Sequence, residues 1–171
     1  LVGNALINTN GDAEIQVSEA TAFGGTIDVY YGGIFDLTGI EAFTALTTLN
    51  CNSTQLTSLD VSQNTAFFSL ECRQNQLTSL DVTQNTALAS LTCAWNQLTS
   101  LDVSQNTALL SLASNNNQLT SLDVTQNTAL VYLYCGGNEL ICLNLNDGNI
   151  VGLNLWASPN PNLTCIEVDD V

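Results

Sequence analysis

The segment "NQLTSLDVTQNTAL" at 75–88 returns as "NQLTSLDVSQNTAL" at 96–109 and again as "NQLTSLDVTQNTAL" at 117–130. Aligning the copies gives a 21-residue period. Its first half reads Leu-x-x-Leu-x-Cys-x-x-Asn, as at Leu88, Leu91, Cys93 and Asn96. Its second half reads Leu-x-x-Leu-x-Val-x-x-Asn, as at Leu98, Leu101, Val103 and Asn106. Complete first halves begin at Leu46, Phe67, Leu88, Leu109 and Leu130. A unit this short cannot bury its own apolar edge, so a fixed period in the twenties predicts a solenoid of stacked coils. The Leu-x-Cys and Leu-x-Val cores have the period-2 spacing of strands, with Leu, Cys and Val inward. Each coil is therefore expected to carry two short strands, one on each flank. The Asn at each turn is expected to bond backbone groups that the turn leaves unpaired, forming an internal ladder that Thr54 interrupts.

The spelling Leu-x-x-Leu-x-Cys-x-x-Asn-x-Leu resembles the leucine-rich repeats of bacterial surface proteins, notably cysteine-bearing internalins. The "LDVSQNTA" wording is similar to that of secreted bacterial repeat proteins with a C-terminal sorting domain, which this chain lacks. The resemblance covers roughly residues 26–171. It implies a leucine-rich repeat solenoid, a curved right-handed coil of parallel strands, mostly β and irregular. It also implies a place outside the bacterial cell and a role in adhesion or recognition. The expected organisation is an EF-hand-like N-terminal cap with short helices over 1–25, an irregular first coil over 26–45, repeats over 46–145 and a C-terminal cap over 146–171.

The 171 residues carry sixteen Asp and Glu, one basic residue, Arg73, and no His, for a net charge of −15. Such a surface repels nucleic acid and anionic membranes, which leaves cations and basic proteins as charged partners. No apolar run approaches membrane-spanning length and no signal peptide opens the chain. Leu1 in place of an initiating Met points to a processed or trimmed piece.

With no His, no Lys, no Gly-x-Ser-x-Gly elbow and no phosphate loop, an enzyme is not expected. "NTNGDAEIQVSE" has the ligand spacing of an EF-hand loop. Asn8, Asn10 and Asp12 fall at positions one, three and five, Glu14 at seven through its carbonyl, and Glu19 at twelve, which predicts a structural Ca²⁺ site. Ala13 stands where Gly makes the sharp turn, and Asn8 replaces the usual Asp. Cys51, Cys72, Cys93 and Cys135 take inward strand positions and are expected as free core thiols, with Ser114 breaking their column. Cys142 and Cys165, in "LICLNL" and "LTCIEV", take matched outward positions, where a disulfide is one arrangement open to them. The absence of His and of Cys-x-x-Cys argues against zinc.

The two flanks differ in uniformity. On the second, Thr57, Thr78, Thr99 and Thr120 align, as do Asp60, Asp81, Asp102 and Asp123. This reads as a solvated back, and the Asp column weighs against ice binding, which Thr columns would otherwise suggest. On the first, the outward residues diverge from coil to coil. Tyr132, Tyr134 and Trp156 gather at its C-terminal end, with Trp95, Arg73, Glu71, Thr92, Asn115 and Asn154 on the same side. The resemblance makes this flank the concave face, where such proteins bind. Exposed Tyr and Trp suit a hot spot for a protein or glycan ligand. The expected role is thus non-enzymatic binding by a monomer, with a passive spacer as the alternative.

Overall fold

The chain was studied as a computed structural model that describes residues 9–10, 12, 14–31, 33–146 and 152–168. Stacked first halves pair as three-residue parallel strands, in agreement with the period. β1 (Thr26–Asp28), β2 (Thr48–Asn50), β3 (Ser69–Glu71), β4 (Ser90–Thr92), β5 (Ser111–Ala113), β7 (Tyr132–Tyr134) and β9 (Asn154–Trp156) form one seven-stranded sheet in that order. Their register follows the repeat: Leu49, Leu70, Leu91, Leu112 and Leu133 sit side by side. All five are fully buried, and Cys51, Cys72, Cys93 and Cys135 stack beside them as free buried thiols, as expected. β1 joins this sheet in register with β2, so the first coil already contributes to the variable face.

The second flank departs from the expectation of two strands per coil. Strands occur there at β6 (Ser121–Asp123), β8 (Cys142–Asn144) and β10 (Cys165–Glu167), paired in the order β10-β8-β6. Residues 58–60, 79–81 and 100–102 form none. On that side, upstream coils exchange a backbone bond after the turn, such as Gln76 N to Leu56 O and Gln97 N to Leu77 O, both at 2.8 Å, and no ladder. The tightly paired first flank fixes the coil spacing, and burial of Leu and Val holds the other flank without strand pairing.

Two columns of buried Asn fasten successive coils. In the first, the Asn96 amide donates to Cys72 O and Cys93 O, both at 3.0 Å, and its oxygen accepts Leu77 N at 3.0 Å. Asn75, Asn117, Asn138 and Asn160 repeat the pattern. Thr54 fills the first place in part, donating its hydroxyl to Cys51 O at 2.7 Å. In the second column, the Asn106 amide donates to Val82 O and Asn85 O, both at 2.9 Å. The side-chain oxygens of Asn64, Asn85, Asn106 and Asn127 are buried and find no protein donor.

Ser114 stands in the cysteine column with its hydroxyl buried and unpartnered. A buried hydroxyl without a partner costs about 1–3 kcal/mol, whereas a thiol at that place behaves as a small hydrophobe. Ser114→Cys is therefore expected to stabilise the protein by about 1–2 kcal/mol. An unchanged or lowered urea midpoint would contradict this.

At the N-terminal end, α1 (Val17–Ala22) and a 3₁₀ turn at Ile40–Ala42 cover the stack through Ala20, Ile40 and Phe43. α1 opens with a capping box between Gln16 and Glu19. Of the short helices expected over 1–25, any within residues 1–8 lies outside the described residues. At the other end, β9 and β10 continue both flanks. Ile166 takes the inward place of Leu143 but is exposed, and Leu155 takes that of Leu133 but is only partly covered.

Candidate recognition face

The seven-stranded sheet places the expected cluster as one patch. Tyr132 pairs with Asn154 and Tyr134 with Trp156 across β7 and β9. The Tyr134 and Trp156 rings stack with centroids 4.4 Å apart and planes 7° from parallel. Parallel in-register strands force this, because equivalent side chains leave adjacent strands in the same direction at about 4.8 Å spacing. Tyr134 is half-buried, and Trp156, on the last strand of its sheet, remains 48% exposed. Tyr132 is exposed beside it.

Next to the stack lies a shallow depression lined by Asn115, Asn116, Tyr134, Gly136, Gly137, Trp156, Ser158 and Pro159. Its floor needs glycine. A Cβ on Gly136 would clash with the Ser158 carbonyl, and one on Gly137, at φ +70°, would meet the Asn116 amide oxygen at 2.5 Å.

Other residues expected on this face are separate from the cluster or already engaged. Glu71 accepts from the Asn52 amide at 2.9 Å. Asn154 donates to Val131 O and Gly152 O, both at 3.2 Å, so its amide is turned toward backbone. Thr92 is half-buried mid-sheet, and Arg73 is exposed at the strand exit.

That exit forms a second feature. Tyr31, Ser53, Gln74, Trp95, Asn116 and Gly137 occupy equivalent places in successive coils, all with φ between +52° and +70°. This left-handed conformation disfavours bulky side chains, and strained positions of this kind collect at ligand-binding sites. Trp95 and Tyr31 hold it while 51% and 67% exposed. Tyr30 and Tyr31, with ring centroids 4.0 Å apart, give the N-terminal end of the rim an aromatic group of its own. A side-chain hydrogen bond with Tyr31, aided by desolvation, raises the Tyr30 phenol above its ordinary range against the opposing charge of Arg73. The sequence reading assigned "TIDVYYGG" to an irregular coil and so passed over both tyrosines.

The strand-entry edge was also passed over. Phe68, Ala89, Leu110 and Val131 stack there through bonds such as Ala89 N to Phe68 O and Leu110 N to Ala89 O, both at 2.9 Å. Phe68, Leu110 and Val131 are exposed. The signal is a second large apolar residue directly after the first Leu or Phe of three repeats, in "FFSL", "LLSL" and "LVYL".

On the opposite flank, Asp60, Asp81, Asp102 and Asp123 form the expected exposed column. Each accepts the backbone N–H two residues on, as Asp81 does from Thr83 at 2.9 Å. Hydrogen bonds from Thr83 hold the Asp81 carboxyl below its ordinary range, and the like charges of Asp102 and Asp60 oppose this only weakly. Hydrogen bonds from Ser62 and Ser104 lower the Asp60 and Asp102 carboxyls likewise, and all four side chains of the column are exposed.

Of the expected Ca²⁺ ligands, Asn8 lies outside the described residues, while Asn10, Asp12 and Glu19 come together. The Asn10 amide donates to Asp12 Oδ2 at 3.0 Å. Glu19 Oε1 accepts Thr9 N at 2.7 Å and Asn10 N at 3.2 Å, and Oε2 accepts Gln16 N at 3.1 Å. Burial pushes the Glu19 carboxyl up, but these donors outweigh it and hold it below its ordinary value. The Gln16 amide donates to Asp12 Oδ2 at 2.6 Å. The Asp12 and Glu19 carboxylates are thus each held by N–H donors, which a cation bound there would have to displace.

Among the described residues, no helix is long and apolar enough to cross a membrane. No protein-family model matches the chain, and no curated protein matches it. Solved structures do. The functional domain of InlJ from Listeria monocytogenes, which includes a cysteine ladder, is similar at 34% identity and a TM-score of 0.67, over 91% of this chain and 41% of that one. An internalin, InlF, from Listeria monocytogenes strain 4b F2365 matches at 21% identity and a TM-score of 0.67, over 91% and 46%. The leucine-rich repeat domain of APL1B matches at 18% identity and a TM-score of 0.61, over 91% and 44%. The last two show the fold alone, and the chain spans less than half the length of each of the three. Together with the parallel ladders and the buried cysteine column, these likenesses make the fold a leucine-rich repeat solenoid of internalin-like build.

Proposed function

We propose that the chain is a non-enzymatic binding module of a secreted or surface-attached bacterial protein, and that it adheres to an extracellular protein or glycan through the seven-stranded face. One observation carries this reading: the Tyr134–Trp156 stack and exposed Tyr132 border a shallow depression on the flank whose side chains vary, while the opposite flank repeats. Aromatic residues with polar tips give large contact area at small entropic cost. The disulfide between Cys142 and Cys165 supports an oxidising compartment.

The intact domain, screened against glycans, extracellular proteins and cells, is expected to yield a partner that a folded Tyr132→Ala/Tyr134→Ala/Trp156→Ala variant loses. A partner retained by that variant would move the site to another face, and no partner at all would favour a spacer. Trp95→Gly separates recognition from stability, because glycine relieves the left-handed strain and Gly137 already fills the equivalent place. Its unfolding free energy is expected to stay within about 1 kcal/mol of the parent while affinity falls.

The proposal includes a structural Ca²⁺ ion held by Asn8, Asn10, Asp12, the Glu14 carbonyl and Glu19, supported by the convergence of Asn10, Asp12 and Glu19. At a Ca²⁺ concentration 100-fold above its dissociation constant, the native state should gain about 2.7 kcal/mol. Identical melting curves in millimolar Ca²⁺ and in chelator would exclude the site.

A further inference from the structure

On the three-stranded sheet, strand pairing assembles a group that no local motif shows. Cys142 and Cys165 lie 23 residues apart in sequence yet are direct register partners, with Cα atoms 4.5 Å apart and a disulfide between them. Two residues further along each strand, Asn144 and Glu167 are partners on the same outward side. Glu167 Oε1 lies 3.7 Å from Cys165 Sγ. Among the described residues, Cys142, Cys165 and Glu167 are the group of three metal-ligating side chains whose donor atoms all lie within 4.8 Å of one another. Both cysteines are partly exposed and Glu167 is fully so.

We propose that reduction converts this disulfide into a binding site for a thiophilic divalent cation, held by the thiolates of Cys142 and Cys165 and the carboxylate of Glu167, with water as fourth ligand. Two thiolates on one tetrahedral ion stand about 3.8 Å apart, given metal–sulfur bonds of about 2.3 Å. In-register cysteines on parallel strands project side by side at about the 4.8 Å strand spacing, so a bridging ion demands little movement of either strand. The third ligand already stands beside Cys165. Two thiolates alone neutralise the ion's charge and the carboxylate leaves the site with one net negative charge, while soft sulfur selects zinc-like cations over Ca²⁺ or Mg²⁺. The surrounding net charge of −15 favours cation approach.

The redox step balances with a water-soluble phosphine as reductant. The phosphine takes oxygen from water and becomes its oxide, two electrons break the S–S bond, and the two protons of that water complete two thiols. The cation then displaces both S–H protons to solvent. The four core thiols do not compete, because Cys51, Cys72, Cys93 and Cys135 are fully buried.

The test uses the whole chain, reduced with phosphine, desalted without oxygen and titrated with Cd²⁺. The expected result is one equivalent bound with a sulfur-to-cadmium charge-transfer band, absent from the oxidised protein and from Cys142→Ser and Cys165→Ser. Zn²⁺ in large excess should displace it, and Glu167→Gln should weaken binding at least about tenfold. The proposal is overturned if reduced protein with an unchanged circular dichroism spectrum gives no band. It is equally overturned if the band survives in both serine variants, or if reduction abolishes the native spectrum, since the site requires both strands in register.

Discussion

Raising the pH from 9 toward 12 is expected to unfold the protein steeply, with the four core cysteines as a principal cause. Burial pushes the Cys93 thiol up to about 12. It does the same for Cys135, and for Cys51, where the charge of Glu71 adds to it. Cys72 is also raised well above its ordinary value, by burial first and by its Cys93 and Cys51 neighbours second. In the unfolded chain each thiol ionises near the ordinary value of 9.0. The folded values lie above the unfolded ones, so this stability is fully present below pH 9 and is lost as pH rises toward 12. Each thiol then withdraws about 1.4 kcal/mol per pH unit, and four together withdraw roughly 5 kcal/mol per unit. The check is a series of urea midpoints from pH 8 to 11, read beside a Cys72→Ala/Cys93→Ala variant. Parallel pH profiles for the two proteins would refute the assignment. The same burial predicts that thiol reagents label these cysteines only as fast as the protein opens.

Asn96→Ala is expected to be among the most damaging single substitutions in the chain. It leaves Leu77 N buried without a partner and takes one of two side-chain donors from Cys72 O and from Cys93 O, which keep Asn75 and Asn117. At about 1–3 kcal/mol for the orphaned N–H and about 1 kcal/mol for each lost bond to a carbonyl, the loss is on the order of 3–5 kcal/mol. Asn106→Ala should cost less, because that side chain serves only Val82 O and Asn85 O and its own oxygen is unpaired. Thr99→Ala, at an exposed neighbouring position, should fall within about 0.5 kcal/mol of the parent. The order Asn96, Asn106, Thr99 in urea unfolding is the measurable claim. An Asn96 variant no worse than the Asn106 variant would mean that the first ladder does not carry the stack.

The ladder was legible in the sequence because its cause is local and periodic. A turn that recurs every 21 residues presents the same unpaired backbone groups each time, and Asn answers them at the same place. The inward Leu, Cys and Val were legible for the same reason, since period-2 spacing assigns each residue a side before any neighbour is known. The divergent face and the Tyr132, Tyr134 and Trp156 cluster followed from counting outward positions along that period.

What the period could not supply was anything set by contacts between coils of unlike sequence. Whether a Leu-x-Val segment pairs as a strand depends on the spacing its neighbours leave it, so 79–81 and 121–123 share the spelling Ser-Leu-Asp and differ in structure. "TIDVYY" carries no repeat consensus, yet β1 enters the sheet in register and Tyr30 and Tyr31 reach the rim. The sequence left the Cys142–Cys165 bridge open, and matched strand positions closed it, with Glu167 brought beside both sulfurs. By itself, then, the sequence determined the coil, its buried columns and its two unlike flanks, because each follows from short-range geometry repeated many times. Only the tertiary structure decided which flank segments pair, which aromatics share a rim and which cysteines meet, because those depend on the distance and register between coils far apart in the chain.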